Sequence, residues 1–243
     1  MLATLRYRES SKIVRLATRE LGVQSVIAKG ALRPRSRFGA ALQLFSEGAA
    51  MFHYRPQRDL HTLSSFDPDT VRLGLTSDLR TFSAASVMAE LMIRFAPAEA
   101  HPESYATIHD TMELLAAVPA EATEVVALRG LWGLVASLGF RPSMDCCARD
   151  GAPLAAGPVS FSPADGGLLC RRCSPPPGAH TLSPQVKADL EALLDPAREA
   201  PLLDDRHAAA HRRLLARYVA HHLAEGQPLT AMDFWLGQRE ATP

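Results

Sequence analysis

The chain has no net charge: 26 Lys and Arg balance 26 Asp and Glu across 243 residues. It also lacks a long apolar run. The longest, VVALRGLWGLVASLGF (125–140), is interrupted by Arg129 and falls short of the roughly 20 apolar residues that a bilayer-spanning helix needs. The first residues, MLATLRYRESSK, hold no apolar stretch of the secretory kind. Cysteines number only four. Without a secretory segment they are expected as reduced thiols or metal ligands rather than disulfides, in a cytoplasmic protein with no membrane partner. No Gly-rich phosphate loop, Ser–His–Asp order or pair of catalytic carboxylates stands out, so an enzyme has no residues to rest on and none is expected. Hydrophobic residues, at 47%, are enough to bury cores, and the length suits one large domain or two to three small ones.

Overall neutrality hides an uneven distribution. Residues 1–80 carry thirteen bases and seven acids, a balance of +6, which leaves −6 for the rest. A basic part joined to an acidic part suggests a polyanion-binding module beside one with another task. The basic part is densest at VIAKGALRPRSRFGAAL (26–42), where Lys29, Arg33, Arg35 and Arg37 fall within nine residues without an acid.

Residues 1–66 read as short strands: KIVRLAT (12–18), VQSVIAK (23–29), two within LQLFSEGAAMFHYRP (42–56) divided at Gly48, and LHTLSSFD (60–67). Five such strands suit a small closed barrel, and a sandwich fragment or SH3-like barrel fits the pattern nearly as well. The period changes near residue 76. Apolar residues at helical spacing, Pro102 near a start, Pro119 at a stop and Gly139 at an end predict a bundle of about three helices over 77–140. SPPPGA (174–179) reads as a rigid linker. Ser183 with Pro184 predicts a helix start by capping, and a last strong helix is expected from Asp205 to about Glu225.

MDCCARDGAPLAAGPVSFSPADGGLLCRRC is the most chemically specific stretch. Cys170 and Cys173 form a C-x-x-C knuckle, a spacing that turns two thiolates toward one ion. Upstream, adjacent cysteines such as Cys146 and Cys147 rarely both reach one tetrahedral ion without strain, whereas Cys147-x-x-Asp150 repeats the knuckle spacing and carboxylate is an allowed zinc ligand. The expected set is Cys147, Asp150, Cys170 and Cys173 around a structural Zn2+, with Cys146 in place of Asp150 as the alternative. A C-x-x-C redox site wants a helix after it, which SPPPG forbids. His207 and His211, four apart, and His221 and His222 are taken as a helix face.

Residues 7–45, with E-S-S-K-I-V, T-R-E-x-G and A-K-G-x-x-R-P-x-S-R-F-G-A-x-L, resemble the RecO family of recombination mediator and DNA repair proteins. FSPADGGLLCRRC is similar to the family's zinc-knuckle region, whose usual pattern is C-x-x-C…C-x-x-C; Asp150 departs from it. The resemblance implies an α+β protein: a five-stranded OB-fold barrel over 1–78, then a helical domain over 79–243 with a zinc-knuckle insert at about 142–176. It implies binding of single- and double-stranded DNA and annealing of complementary strands. It further implies work with RecR to load RecA on strands coated by single-strand-binding protein, whose acidic tail would dock on the helical part. The residue types agree with this. OB barrels hold strands in a basic groove, and arginine's fork suits phosphate. An extended loop would present Arg33, Arg35 and Arg37 together, with Lys12, Arg15, Lys29 and Arg55 as the neighbouring DNA-binding cations. HRRLLARYVAHHL (211–223) offers Arg212 and Arg217 as partner-binding cations beside Leu214, Leu215, Tyr218 and Val219. The alternative is a zinc-stabilised adaptor whose basic barrel face meets an acidic protein.

Overall fold

The computed structural model describes residues 1–154, 157, 159–174 and 181–237. The expected linker 174–179 lies, beyond Ser174, outside them. The chain divides into two compact units, Met1–Val118 and Pro119–Pro243.

The first unit opens with strands β1 (Ala3–Tyr7), β2 (Ser11–Thr18), β3 (Gly22–Ala28), β4 (Glu47–His53) and β5 (His61–Thr70) in one sheet, ordered β1-β2-β3-β5-β4. All neighbours are antiparallel except β3 and β5, which pair in parallel at Val26↔His61. This is the expected five-stranded, OB-like order, but the sheet is not closed into the expected barrel. Among the described residues no ladder joins β1 to β4. Just before the two strands begin, Phe45 N donates to Met1 O (3.0 Å) and Met1 N to Ser46 O (2.7 Å).

Alternation along β2 and β3 turns Val14, Leu16, Val26 and Ala28 to one face, where Leu63 and Phe66 of β5 and Phe38 and Leu42 of the β3–β4 connection complete the core. Two strands expected within 42–56 are one. Leu42 and Phe45 are buried, but from turns, and β1 supplies the fifth strand instead. Gly48 does not divide β4. A Cβ there would stand 2.1 Å from Asp67 O, so only glycine lets β4 approach β5 at the bulge between Glu47 and Gly48.

A short α1 (Gly74–Ser77) precedes α2 (Leu79–Phe95), whose cap Asp78 accepts from the backbone of Arg80 and Thr81. α3 (Pro102–Ala117) begins at Pro102 as expected and packs on α1 and α2. Arg72, buried behind β5, donates to Glu47 (2.6 Å), to Phe45 O (3.0 Å) and to Glu113 on α3.

In the second unit, α4 (Thr123–Val135) ends in a wide turn, Ala136–Phe140, at Gly139. The expected three-helix bundle over 77–140 is therefore not formed. α4 packs instead with α5 (Pro184–Leu194) and α6 (Asp205–His222), while α2 and α3 belong with the sheet. By length and composition alone Thr123–Phe140 could cross a membrane, but its apolar side chains, Trp132 and Leu128 among them, are core. Arg129, which interrupts the run, donates to the carbonyls of Ala192 (3.1 Å), Asp195 (3.0 Å) and Arg198 and so satisfies the C-terminal end of α5. Ser183 caps α5 as expected. Strands β6 (Val159–Ser162), β7 (Gly167–Leu169) and β8 (Thr181–Leu182) form a small sheet ordered β7-β6-β8, and α7 (Thr230–Gly237) follows α6.

Candidate nucleic-acid interface and metal centre

The basic loop between β3 and β4 is not extended. It coils through successive tight turns: Arg33 N to Gly30 O, Ser36 N to Arg33 O and Gly39 N to Ser36 O, each 3.1 Å. Pro34 presets the second position of the middle turn. The third holds Arg35 at φ +59°, a conformation that favours Gly or Asn there. The turns still leave Lys29, Arg33, Arg35 and Arg37 exposed. Lys29, Arg33 and Arg35 have no side-chain hydrogen bond or ion pair among the described residues. Arg37 lies over the Phe38 ring (4.9 Å) and donates to Leu63 O (3.4 Å), which ties the loop to the sheet.

The other expected cations differ. Lys12 lies on β2, half-buried, in register with Ala28. Arg55 is exposed, and its backbone N donates to His61 Nδ1 (3.3 Å). That bond leaves His61 Nε2 to donate to Gln24 (3.0 Å), a buried polar pair that holds the β4–β5 connection on β3. Arg15 points away from the core face and reaches the Ile93 carbonyl of α2 (3.5 Å), so it is a packing residue rather than a free cation.

The four expected metal ligands come together. One ligand atom from each of Cys147, Asp150, Cys170 and Cys173 lies within 4.8 Å of the others. The upstream pair sits in a turn closed by Gly151 N to Cys147 O (2.8 Å), the downstream pair in one closed by Cys173 N to Cys170 O (3.1 Å). The two are brought together through Gly167, where a Cβ would stand 2.3 Å from Ser143 O. Cys146, the alternative, is outside the cluster, with its sulfur 3.5 Å from Ser143 Oγ.

Asp150 Oδ2 is 3.1 Å from Cys173 Sγ and 3.7 Å from Cys170 Sγ. A zinc tetrahedron with Zn–S about 2.3 Å and Zn–O about 2.1 Å has S–O edges of about 3.6 Å, so these donors fit one. Hydrogen bonds, first from Cys147 and then from Arg172, hold the Asp150 carboxyl well below the usual carboxylate range. Asp150 in turn pushes the Cys173 thiol up to about 12, with burial adding to it. Burial pushes the Cys147 thiol up as well, but backbone donors at Cys170, Asp150 and Arg149 outweigh it and lower its value.

Sequence reasoning missed the groups around this set. Arg172 donates to Asp150 (2.7 Å). Arg149 grips Asp165 with two bonds of 2.8 Å and reaches Cys173 O (3.0 Å). The signal was present: basic residues sit inside both four-residue turns, and an acidic ligand calls for a cation to orient it.

On α6, Leu215, Tyr218 and Val219 are ordinary core, and Leu214 is nearly so. Arg212, expected at a docking rim, is 5% exposed, paired with Glu124 (3.0 Å) and bonded to Trp235 O (3.2 Å). Arg217 is exposed. With His221, Phe161, Pro163 and Leu169 it lines a cavity of about 620 Å³. His222 leaves the expected histidine face to bond Pro163 O (2.6 Å) and pack on Tyr218.

Two family profiles match the chain: Recombination protein O N terminal over residues 1–69 and Recombination protein O C terminal over residues 76–230. Among similar curated proteins, one called DNA repair protein RecO from Anaeromyxobacter sp. (strain K) is 32% identical, covering 96% of this chain and 92% of its own length. Another of that name, from Symbiobacterium thermophilum, is 34% identical over 88% of this chain and 86% of itself. A third, from Nocardioides sp., is 31% identical over 93% of both.

Proposed function

The chain belongs to the recombination protein O family of DNA repair proteins, and on that premise we propose that it is a non-catalytic, DNA-binding recombination mediator of the cytoplasm and nucleoid. It anneals complementary single strands and, with RecR, helps load RecA on strands coated by single-strand-binding protein. Residues 1–78 act as its nucleic-acid-binding part and 79–243 as its helical part with the knuckle inserted, a division of roles that differs from the packing units, since α2 and α3 belong with the sheet. The carrying observation is the β3–β4 loop. Lys29, Arg33 and Arg35 are exposed and have no acidic partner among the described residues, and Arg35 is held where an arginine is sterically disfavoured. A fixed turn bearing unpaired guanidiniums suits a phosphate backbone.

The experiment is a titration of fluorescent single-stranded DNA across salt. Neutralising about four phosphates gives a slope of log K against log salt near −3. Reversal of Arg35 and Arg37 to Glu lowers affinity for all sequences alike. Unchanged affinity in that variant removes the loop from the DNA site, and no DNA binding by the parent removes the function.

Zinc, held by Cys147, Asp150, Cys170 and Cys173, supplies a structural cross-link and takes no part in chemistry. The acidic tail of single-strand-binding protein docks at the cavity beside Arg217, because Arg212 is turned inward. Calorimetric titration of a tail peptide should show weaker binding to Arg217→Glu, and equal affinity places the tail elsewhere.

A further inference from the structure

β1 and β2 run antiparallel with Arg6 directly opposite Lys12. Like charges facing each other weaken a ladder. Neither side chain has a hydrogen bond or ion pair among the described residues, including with Glu9 in the intervening turn. By strand alternation Arg6 continues the row of Leu2 and Thr4, and Lys12 that of Val14 and Leu16. Leu2, Val14 and Leu16 are buried, so the two cations end the inner-facing rows at the lip of the sheet.

The basic loop is fastened to this lip. Leu32 N donates to Ser10 O, 2.9 Å, in the β1–β2 turn, which brings Arg33 beside it in sequence and space. Tyr7, next to Arg6, carries the Arg8 guanidinium near its ring at 5.3 Å. Free cations, an aromatic ring and a loop of further cations thus share one end of the sheet.

We infer that Arg6 and Lys12 form a two-pronged clamp for a phosphate of single-stranded DNA, carrying the strand from the β3–β4 loop onto the sheet; this rests on the DNA-binding function proposed above. A phosphate between the prongs converts a repulsive pair into two attractive ones, so binding gains both the new contacts and the relief of the old repulsion.

The informative substitution is Arg6→Glu, which breaks the clamp yet leaves an opposite-charge pair with Lys12, so it protects the fold. The full chain is titrated with a fluorescent oligothymidylate at several salt concentrations and melted in parallel. Arg6→Glu is expected to melt at or above the parent temperature and to lose at least fivefold in affinity. Arg6→Gln/Lys12→Gln is expected to show a salt slope shallower by about 0.7 to 1.4, the value for one or two phosphates on a single strand. Parental affinity and slope in both variants overturn the clamp. An Arg33→Gln/Arg35→Gln variant separates the two readings. If it weakens binding while Arg6→Glu does not, DNA binding stands and the clamp falls. If the parent binds no oligonucleotide, both fall.

Discussion

Three arginines that look alike in sequence have unlike fates, decided by what faces them. Arg72 is 6% exposed and holds two carboxylates from β4 and α3 together with a carbonyl. Glu47 is half-buried, which raises its carboxyl, but bonds from Arg72 and His109 outweigh this and hold it below its ordinary value. Removing the cation from a buried network leaves its acids uncompensated. Arg72→Met is expected to destabilise the first unit by about 3 kcal/mol, read as a shift of its urea midpoint. Adding Glu47→Gln should recover part of the loss, and a parental midpoint for Arg72→Met would refute the role. None of this was visible beforehand, because the partners lie 25 and 41 residues away. Arg212 and Arg217 show a second limit. Five residues turn a helix by about 500°, so the two point roughly 140° apart and only one can stand at a given rim. Composition places both on the helix, and only the packing of α7 and Glu124 decides that Arg212 turns inward.

Elements were legible where the signal is local. Proline starts, the Ser183 cap and the C-x-x-C spacing each act within four residues, and α3, α5 and the knuckle turns sit as read. β1 was missed because ATLRY lacks the β-branched density of its neighbours. LQLF was misread because its apolar residues enter the core from turns. The knuckle is the element with the sharpest expected outcome. Purified protein is expected to contain zinc, and Cys173→Ser to lose it and melt several degrees lower, since metal affinity is coupled to folding. Cys146→Ser should keep the zinc, because its sulfur is not a ligand. Zinc-free parent protein with unchanged melting of Cys173→Ser would contradict the assignment. Elemental analysis and calorimetry on the same samples decide it.

At the scale of the molecule, helical periodicity announces that a helix has an apolar face but not which elements cover it. That is why α4, read as the third member of a bundle, belongs with α5 and α6. The second unit also buries His211, 1% exposed on α6. Burial lowers its pKa from 6.5, His207 on the same helix lowers it further, and Asp189 on α5 opposes both. A depressed imidazole leaves stability untouched above about pH 6.5. As pH falls through that value the unfolded chain takes up a proton that the folded one refuses, and stability drops. The second unit is expected to melt lower at pH 5.5 than at pH 7.5, and His211→Leu to flatten that difference; a slope unchanged in His211→Leu would assign it to other groups. The first unit has its own weak place, the seam between β1 and β4. Ladders join β1 to β2, β2 to β3, β3 to β5 and β5 to β4, whereas among the described residues β1 and β4 share none and are tied only through Met1, Phe45 and Ser46, just ahead of the two strands. Beyond that tie Leu5 and Met51 are exposed, at 58% and 68%. On warming the sheet is therefore expected to widen first along that unladdered seam, while β2, β3 and β5 keep the core shut.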